Sequence, residues 1–292
     1  MKNESIIRPV YPHAIVIVTL VCNLRCKLCI LCVPYYHIPW HPTTEYIKQT
    51  TDRAFLLGDY EIFEFNGGEP LLRDDLTDIF EHALQYKDNV KEKIKTVTNG
   101  TILPTNELLC IWKHYGEKFH CIVDDYGADI STKAREAYEM VKSAGISCEL
   151  RDMHSKDKHH GGWANFWVSE IIHTEEEAEA VYAKCGQAKK LLHCCNIIRG
   201  FLMPCHLQFQ LNDKGLCKPK SHEFIDLFDD EESLTEKRNK MAGFQVVPSL
   251  SACRYCNGLN EYIERHSPAE QISDFDYKSI AKIIINQEAQ NT

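Results

Sequence analysis

The sequence predicts an α/β protein in which repeated βα units surround a parallel sheet and a smaller, cysteine-punctuated segment follows. Two observations carry that expectation. Short β-branched runs alternate with longer amphipathic stretches through the first half of the chain, and in the second half the alternation fades. The first strand is expected at 14–20, where Ala-Ile-Val-Ile-Val-Thr-Leu is unbroken by charge. A helix at 43–57 leads to a second strand at 60–66, which ends in Phe65-Asn66-Gly67-Gly68-Glu69-Pro70. A helix at 74–87 and a strand at 93–98 follow, the strand ending in Thr98-Asn99-Gly100-Thr101. The helix at 106–114 precedes a strand at 118–124, ending in Asp124-Asp125-Tyr126-Gly127, and the helix at 131–144 precedes a fifth strand at 147–151. From 153 to 167 the composition turns to His, Lys, Asp and Gly with Trp163 and Trp167, marking a boundary or a loop across the open end of a sheet. Past it, 175–188 and 229–241 read as helices, and the rest of 185–256 as short strands and turns. No fixed-period repeat or low-complexity tract is present.

The 292 residues are 44% apolar and 26% charged, enough for a substantial core in at most two compact units. Against 33 Lys and Arg stand 42 Asp and Glu, a formal charge of -9, and no basic run offers a stripe for phosphate backbones. A nucleic-acid partner is therefore not expected. The longest apolar run, at 14–21, falls far short of the roughly 20 residues a bilayer-spanning helix needs. The first ten residues lack the charged-then-apolar order of a secretion signal, so a cytoplasmic protein without a membrane partner is expected. In that compartment 14 cysteines stay as thiols available to metal. Disulfide staples explain them less well, since a chain of this size builds its own core.

Cys22-Asn-Leu-Arg-Cys26-Lys-Leu-Cys29 places three thiols within eight residues, directly after the first strand. A [4Fe–4S] cluster held by three thiolates keeps one iron open to another ligand. The spacing and its position resemble the radical S-adenosylmethionine superfamily, whose motif Cys-x3-Cys-x2-Cys is filled here by Cys22, Cys26 and Cys29. That family often has an aromatic residue before the third cysteine, where this chain has Leu28. The resemblance implies a partial (β/α)6 TIM-like barrel over 10–165. It also implies a cluster whose unique iron chelates the amino and carboxylate groups of S-adenosylmethionine. Once reduced, that cluster would pass an electron to the sulfonium, releasing methionine and a 5′-deoxyadenosyl radical. Cys32, at a further x2 spacing, leaves open a closed electron carrier or a four-thiolate zinc site.

Two glycines at a strand end let a ligand approach the backbone without interference from Cβ. The matching Gly-Gly-Glu-Pro motif of the family hydrogen-bonds the amino group of the methionyl part, and the resemblance gives Gly67, Gly68 and Glu69 that role. A tight turn with Glu69 as a solvated charge is the alternative. Asn99, Asp125, Tyr126 and Arg151 sit at strand C-termini, where βα barrels gather their sites, and are candidates to meet the ribose, the carboxylate or the substrate. Asn-Gly and Tyr-Gly pairs also simply reverse a chain. Arg151, always charged and able to bind bidentately, is the expected partner of the methionyl carboxylate.

Cys185, then fourteen residues, Gly200, four residues, Cys205, and later Cys253-Arg-Tyr-Cys256 resemble the shortened SPASM domain called twitch. The resemblance implies a small α+β auxiliary unit over 166–272, followed by a tail at 273–292. Its second [4Fe–4S] cluster would rest on Cys185, Cys205, Cys253 and Cys256 and move electrons. Cys194 is an alternative to Cys185, and a four-cysteine zinc knot is the structural alternative to the cluster. Cys110, Cys121 and Cys148 read as buried small apolar residues. Cys217, after the turn Asn212-Asp213-Lys214-Gly215, is either a hydrogen-atom donor to a substrate radical or a partly buried thiol. Asp157, His159 and His160 suggest a metal or, more simply, a hydrated loop, and Trp163 and Trp167 suggest a cover that excludes solvent.

These resemblances imply abstraction of a hydrogen atom from a C–H bond, giving dehydrogenation or epimerisation, with a flavodoxin or ferredoxin-type reductant. Cys256-Asn-Gly and Pro268-Ala-Glu-Gln271, with Asp125-Tyr126-Gly127, resemble radical enzymes encoded among polysaccharide genes, which points to a sugar- or aminocyclitol-like substrate. A peptide-modifying epimerase or cross-linking maturase is the alternative, although the short stretch before strand one is too little chain for a leader-binding domain. A non-catalytic iron–sulfur or zinc protein is the alternative of another class.

Overall fold

The computed structural model describes residues 8–273 apart from 37, 157–158, 166–169, 190–193 and 245. Five strands, β1 (Val10–Thr19), β2 (Asp59–Gly67), β3 (Val90–Thr98), β4 (Phe119–Asp125) and β5 (Ser147–Asp152), lie side by side in chain order, every pair parallel. Helices α1 (Thr44–Leu57), α2 (Leu76–Ala83), α3 (Asn106–His114) and α4 (Ala134–Ser143) connect them. All five strands and all four helices expected here are present. Where edges differ, local hydrogen bonding sets them. Thr43 and Thr105 cap α1 and α3, accepting from Tyr46 N and Leu108 N. The stretch expected helical from 131 begins only at Ala134, because Ser131 Oγ donates to the Asn99 carbonyl at 2.7 Å and is engaged in that turn.

The second half contributes β6 (Trp163–Ala164), α5 (Glu175–Lys184), α6 (Gly186–Lys189), β7 (Cys195–Ile198), β8 (Phe201–Met203), α7 (His206–Asp213), β9 (Ile225–Asp226), α8 (Leu234–Gly243) and β10 (Arg265–His266). The helix expected at 175–188 breaks at Cys185, whose backbone is extended. The one expected from 229 starts at Leu234: Asp229 Oδ1 accepts Glu231 N in a preceding turn, and Ser233 with Glu236 forms the capping box. β7 pairs in parallel with β1, and β8 and β9 continue antiparallel, giving the order β5-β4-β3-β2-β1-β7-β8-β9. The sixth parallel strand therefore comes from beyond residue 165 and lies against β1, so the sheet crosses the expected domain boundary. The fold is α/β with a mostly parallel sheet.

Strand periodicity separates the core from the site. Phe63 and Phe65 of β2 join a buried aromatic group with Phe80, Trp112 and Phe119; Phe65–Phe80 centroids are 5.1 Å apart and Phe80–Phe119 centroids 5.6 Å. Glu64 and Asn66, at the alternate positions, line a cavity on the other face. No helix among the described residues is long and apolar enough to cross a membrane. Cys121 is buried as expected and Cys148 partly so, but Cys110 lies exposed on α3, a correction to the apolar reading. Asp157, Trp167 and residues 274–292 of the expected tail lie outside the described residues.

Candidate functional site

The C-terminal ends of β1 to β5 and the second half of the chain enclose a cavity of about 1230 Å3. Cys22, Cys26 and Cys29 line it beside Gly67, Gly68 and Asn99, and Asp124, Tyr126 and Arg151 line it farther along the strand ends. The second half supplies Lys184, Asn260, Tyr262 and Arg265 to the same wall. Convergence at this end of a parallel sheet is where βα architectures place chemistry.

The three-cysteine loop is held by its own backbone. Cys29 N donates to the Cys26 carbonyl at 3.1 Å and Cys32 N to the Cys29 carbonyl at 2.9 Å. Leu24 N and Asn99 Nδ2 point at Cys22 Sγ, at 3.4 and 3.7 Å, and Gln271 Nε2 points at Cys26 Sγ at 3.5 Å. Burial pushes the Cys22 thiol up to about 11 and Cys26 up to about 12, and raises Cys29 as well. Without a cation these groups stay protonated; iron would deprotonate them. Cys32, in the left-handed region at φ 53, is buried and is not among the residues lining the cavity.

Gly67 and Gly68 serve chain packing first. A Cβ on Gly67 would lie 2.3 Å from the Thr19 carbonyl oxygen, and one on Gly68 2.2 Å from that of Val21. Gly68 N and Glu69 N donate to those same two carbonyls at 2.8 and 2.9 Å, docking the loop that carries Cys22 onto the end of β2. Glu69 is fully buried rather than solvated, correcting the turn reading. Its carboxylate accepts Leu71 N at 3.0 Å and Asn99 N at 2.7 Å, while burial lifts its pKa to about 7. It lies behind the cavity wall and positions Asn99, whose Oδ1 accepts Thr101 N at 3.0 Å.

Strand alternation exchanges the two aspartates. Asp125 accepts Gly127 N at 2.9 Å and stays out of the cavity, whereas Asp124 faces it. Arg151 Nε is committed to Asp124 Oδ1 at 2.6 Å, and Tyr126 OH donates to Asp124 Oδ2 at 3.1 Å. Burial raises the Asp124 carboxyl against the opposing effect of Arg151. Glu64, also in the wall, accepts Asn66 Nδ2 and lies 3.2 Å from His13 Nε2. Glu64 and Asp124 are not among the residues expected at the site from sequence. The signal was there in Phe63-Glu64-Phe65-Asn66, where two polar side chains alternate with two core aromatics.

A second group of thiols gathers in the other half. Cys185 ends α5, Cys205 precedes α7, Cys253 lies within a tight turn at Ser251–Tyr255 and Cys256 directly follows it. Leu259 N, Leu250 N and Gly258 N approach Cys185, Cys253 and Cys256 Sγ at 3.4, 3.4 and 3.2 Å. Burial, with repulsion from Cys205, Cys256 and Cys185, raises Cys253; Cys205 stands at about 11 and Cys256 at about 12. Cys185 packs with Cys205 and Cys253 around Tyr182 and Leu250, whereas Cys194 is buried near Glu64 and Cys195. Cys217 packs behind this group with Leu207, Leu211 and Ala252 and does not line the cavity. Among the described residues no three His, Cys, Asp or Glu side chains converge to hold a single metal ion. His159 lines the cavity.

Residues 16–147 match the Radical SAM superfamily. No curated protein matches the chain. Among solved structures it is similar to BtrN in complex with AdoMet and 2-DOIA, at 15% identity and a TM-score of 0.52 over 91% of this chain and 100% of that one. It is similar to native anSMEcpe with bound AdoMet and Cp18Cys peptide, again at 15% identity and 0.52, over 97% and 98%. The match to Streptococcus suis SuiB bound to S-adenosylmethionine, at 14% identity and 0.41, covers 52% of this chain and only 36% of that one.

Proposed function

We propose, on the match of residues 16–147 to the Radical SAM superfamily, that the chain is a radical S-adenosylmethionine enzyme and that it oxidises a sugar- or aminocyclitol-like substrate by abstraction of a hydrogen atom. Cys22, Cys26 and Cys29 hold the first [4Fe–4S] cluster, and Gly67, Gly68 and Asn99 form the wall beside it. A [4Fe–4S] cluster and S-adenosylmethionine held there would supply radical hydrogen-abstraction chemistry, with a flavodoxin or ferredoxin-type protein as reductant. Buried thiols with backbone N–H groups aimed at their sulfurs fit such a cofactor.

The observation that carries the reading is one cavity bounded by the three-cysteine loop and by the half that bears Cys185, Cys205, Cys253 and Cys256. On this reading Cys185, Cys205, Cys253 and Cys256 of the second half, 166–272, would hold an auxiliary cluster able to take the substrate's second electron, the accompanying proton leaving to water. Asp124, Arg151 and Glu64 hold the hydroxyl or amino groups of the substrate, and Trp163, packed edge-on to Tyr126 at 5.7 Å, screens it from water. Dehydrogenation is favoured over epimerisation because Cys217 stands behind the auxiliary thiols, away from the cavity. Anaerobic incubation with S-adenosylmethionine and dithionite tests the proposal. Methionine and 5′-deoxyadenosine should form in equal amounts, and their absence from iron-replete protein would refute it.

A further inference from the structure

We infer that residues 269–272 form a strap over the three-cysteine loop and that Gln271, acting through Cys26, sets the reduction potential of the centre held there; this rests on the radical S-adenosylmethionine reading. Gln271 is 245 residues from Cys26 in sequence, yet the two form an antiparallel bridge. On either side of it Lys27 N donates to the Glu270 carbonyl and Ile272 N to the Arg25 carbonyl, both at 2.7 Å. The Lys27 and Glu270 side chains add a contact of 3.4 Å.

The orientation of the Gln271 amide is fixed by its partners. Arg25 N can only donate, so the atom 2.8 Å from it is Oε1; the Ala269 carbonyl can only accept, so the atom 2.7 Å from it is Nε2. The amide nitrogen is thereby turned to Cys26 Sγ at 3.5 Å. Ala269 takes the left-handed conformation at φ 55 to make this turn, an arrangement a residue with a Cβ adopts at a cost, and it is fully buried. Cys26 itself is 7% exposed beneath the strap.

Reduction adds negative charge to a cluster and its sulfurs, so an N–H directed at a ligating sulfur favours the reduced state and raises the potential. Gln271 is a positioning residue of this kind, closer to its sulfur than Asn99 is to Cys22, at 3.5 against 3.7 Å. The strap leaves β10, which pairs with β6, so the half that bears the second cysteine group supplies this donor to the first.

The test uses the full chain, reconstituted anaerobically with iron and sulfide, with Gln271→Leu and Gln271→Glu beside the unchanged protein. Potentiometric titration is followed by electron paramagnetic resonance on the signal that changes when S-adenosylmethionine is added. Leu removes the donor, and Glu removes it and adds an anion while keeping an acceptor for Arg25 N. Iron content should be retained, with the midpoint more negative in Leu and more negative again in Glu. Equal midpoints in all three proteins would overturn the inference, as would loss of iron from both variants, which would make Gln271 a structural prop. Absence of any such signal from the unchanged chain would instead refute the reading on which it rests.

Discussion

Replacing Gly68 with alanine should damage the three-cysteine loop specifically, because the new Cβ would sit 2.2 Å from the Val21 carbonyl oxygen, 2.7 Å from its carbon and 2.9 Å from Cys22 Cβ. Real Cβ contacts are not found below 3.0 Å, so the loop must retreat by at least about 0.8 Å from the end of β2. Two backbone atoms are in the way, and no side-chain rotation relieves them. Overpacking of this kind costs about 1–3 kcal/mol, and at roughly 2–4 °C per kcal/mol the melting temperature should fall by about 2–12 °C. The same retreat strains the bonds from Gly68 N and Glu69 N that dock the loop. Iron at the first centre should therefore drop by more than the loss of folded protein explains. Scanning calorimetry and an iron assay on anaerobically reconstituted protein read the two effects. Gly243→Ala, at the end of α8, is the control, since nothing lies within 4 Å of its Cβ position, and it should leave stability unchanged or raise it by up to about 1 kcal/mol. A Gly68→Ala protein with unchanged melting temperature and full iron would refute this account of the motif.

Three further outcomes are expected. Burial raises the Asp59 carboxyl, but hydrogen bonds from Lys91, Asn89 and Arg8 outweigh it and hold the pKa down to about 2. A folded-state pKa below the unfolded value of about 3.9 means this carboxylate stabilises fully above that pH and loses its effect as pH falls through about 2. Asp59→Asn should therefore flatten the acid limb of stability against pH, and an unaltered limb in urea titrations would contradict the assignment. Phe80→Ala, in contact with Phe65, Trp112 and Phe119, should cost about 3–5 kcal/mol in a urea-unfolding measurement; a loss below about 1 kcal/mol would show that the aromatic group repacks. Asp124→Asn deprives Arg151 of its ion-pair partner. Because the Arg151 side chain is 20% exposed, the cost should reach only about 3 kcal/mol, the lower end for such pairs. Adding Arg151→Met should recover part of it, and a double variant less stable than the single one would contradict this.

Five parallel strands were legible because most are short β-branched or aromatic runs, four of the five end in glycine or an Asx turn, and each is separated from the next by a helical stretch. The sixth parallel strand was not. Cys195–Ile198 is four residues long and owes its place to pairing with Ala14–Val16 across most of the chain, which no local pattern reports. The same division holds at the site. Cys22, Cys26 and Cys29 announce themselves by spacing, but which of Asp124 and Asp125 faces the cavity depends on the phase of β4. Glu69, expected from the motif to meet the methionyl amino group or else to be a turn charge, is a buried acceptor for two backbone N–H groups, one of them 30 residues away. Gln271 reaches Cys26 only because the chain returns to its starting loop after the second cysteine group.

The central proposal, that Cys22, Cys26 and Cys29 hold one cluster and Cys185, Cys205, Cys253 and Cys256 a second, is tested most directly by counting iron, sulfide and zinc per chain after anaerobic reconstitution. The count is repeated with Cys22, Cys26 and Cys29 all replaced by alanine. A cubane contributes about four irons, so about eight irons should fall to about four in the triple variant with zinc absent throughout. About four irons with one zinc would remove the auxiliary cluster as electron acceptor, and zinc without iron would contradict the account entirely.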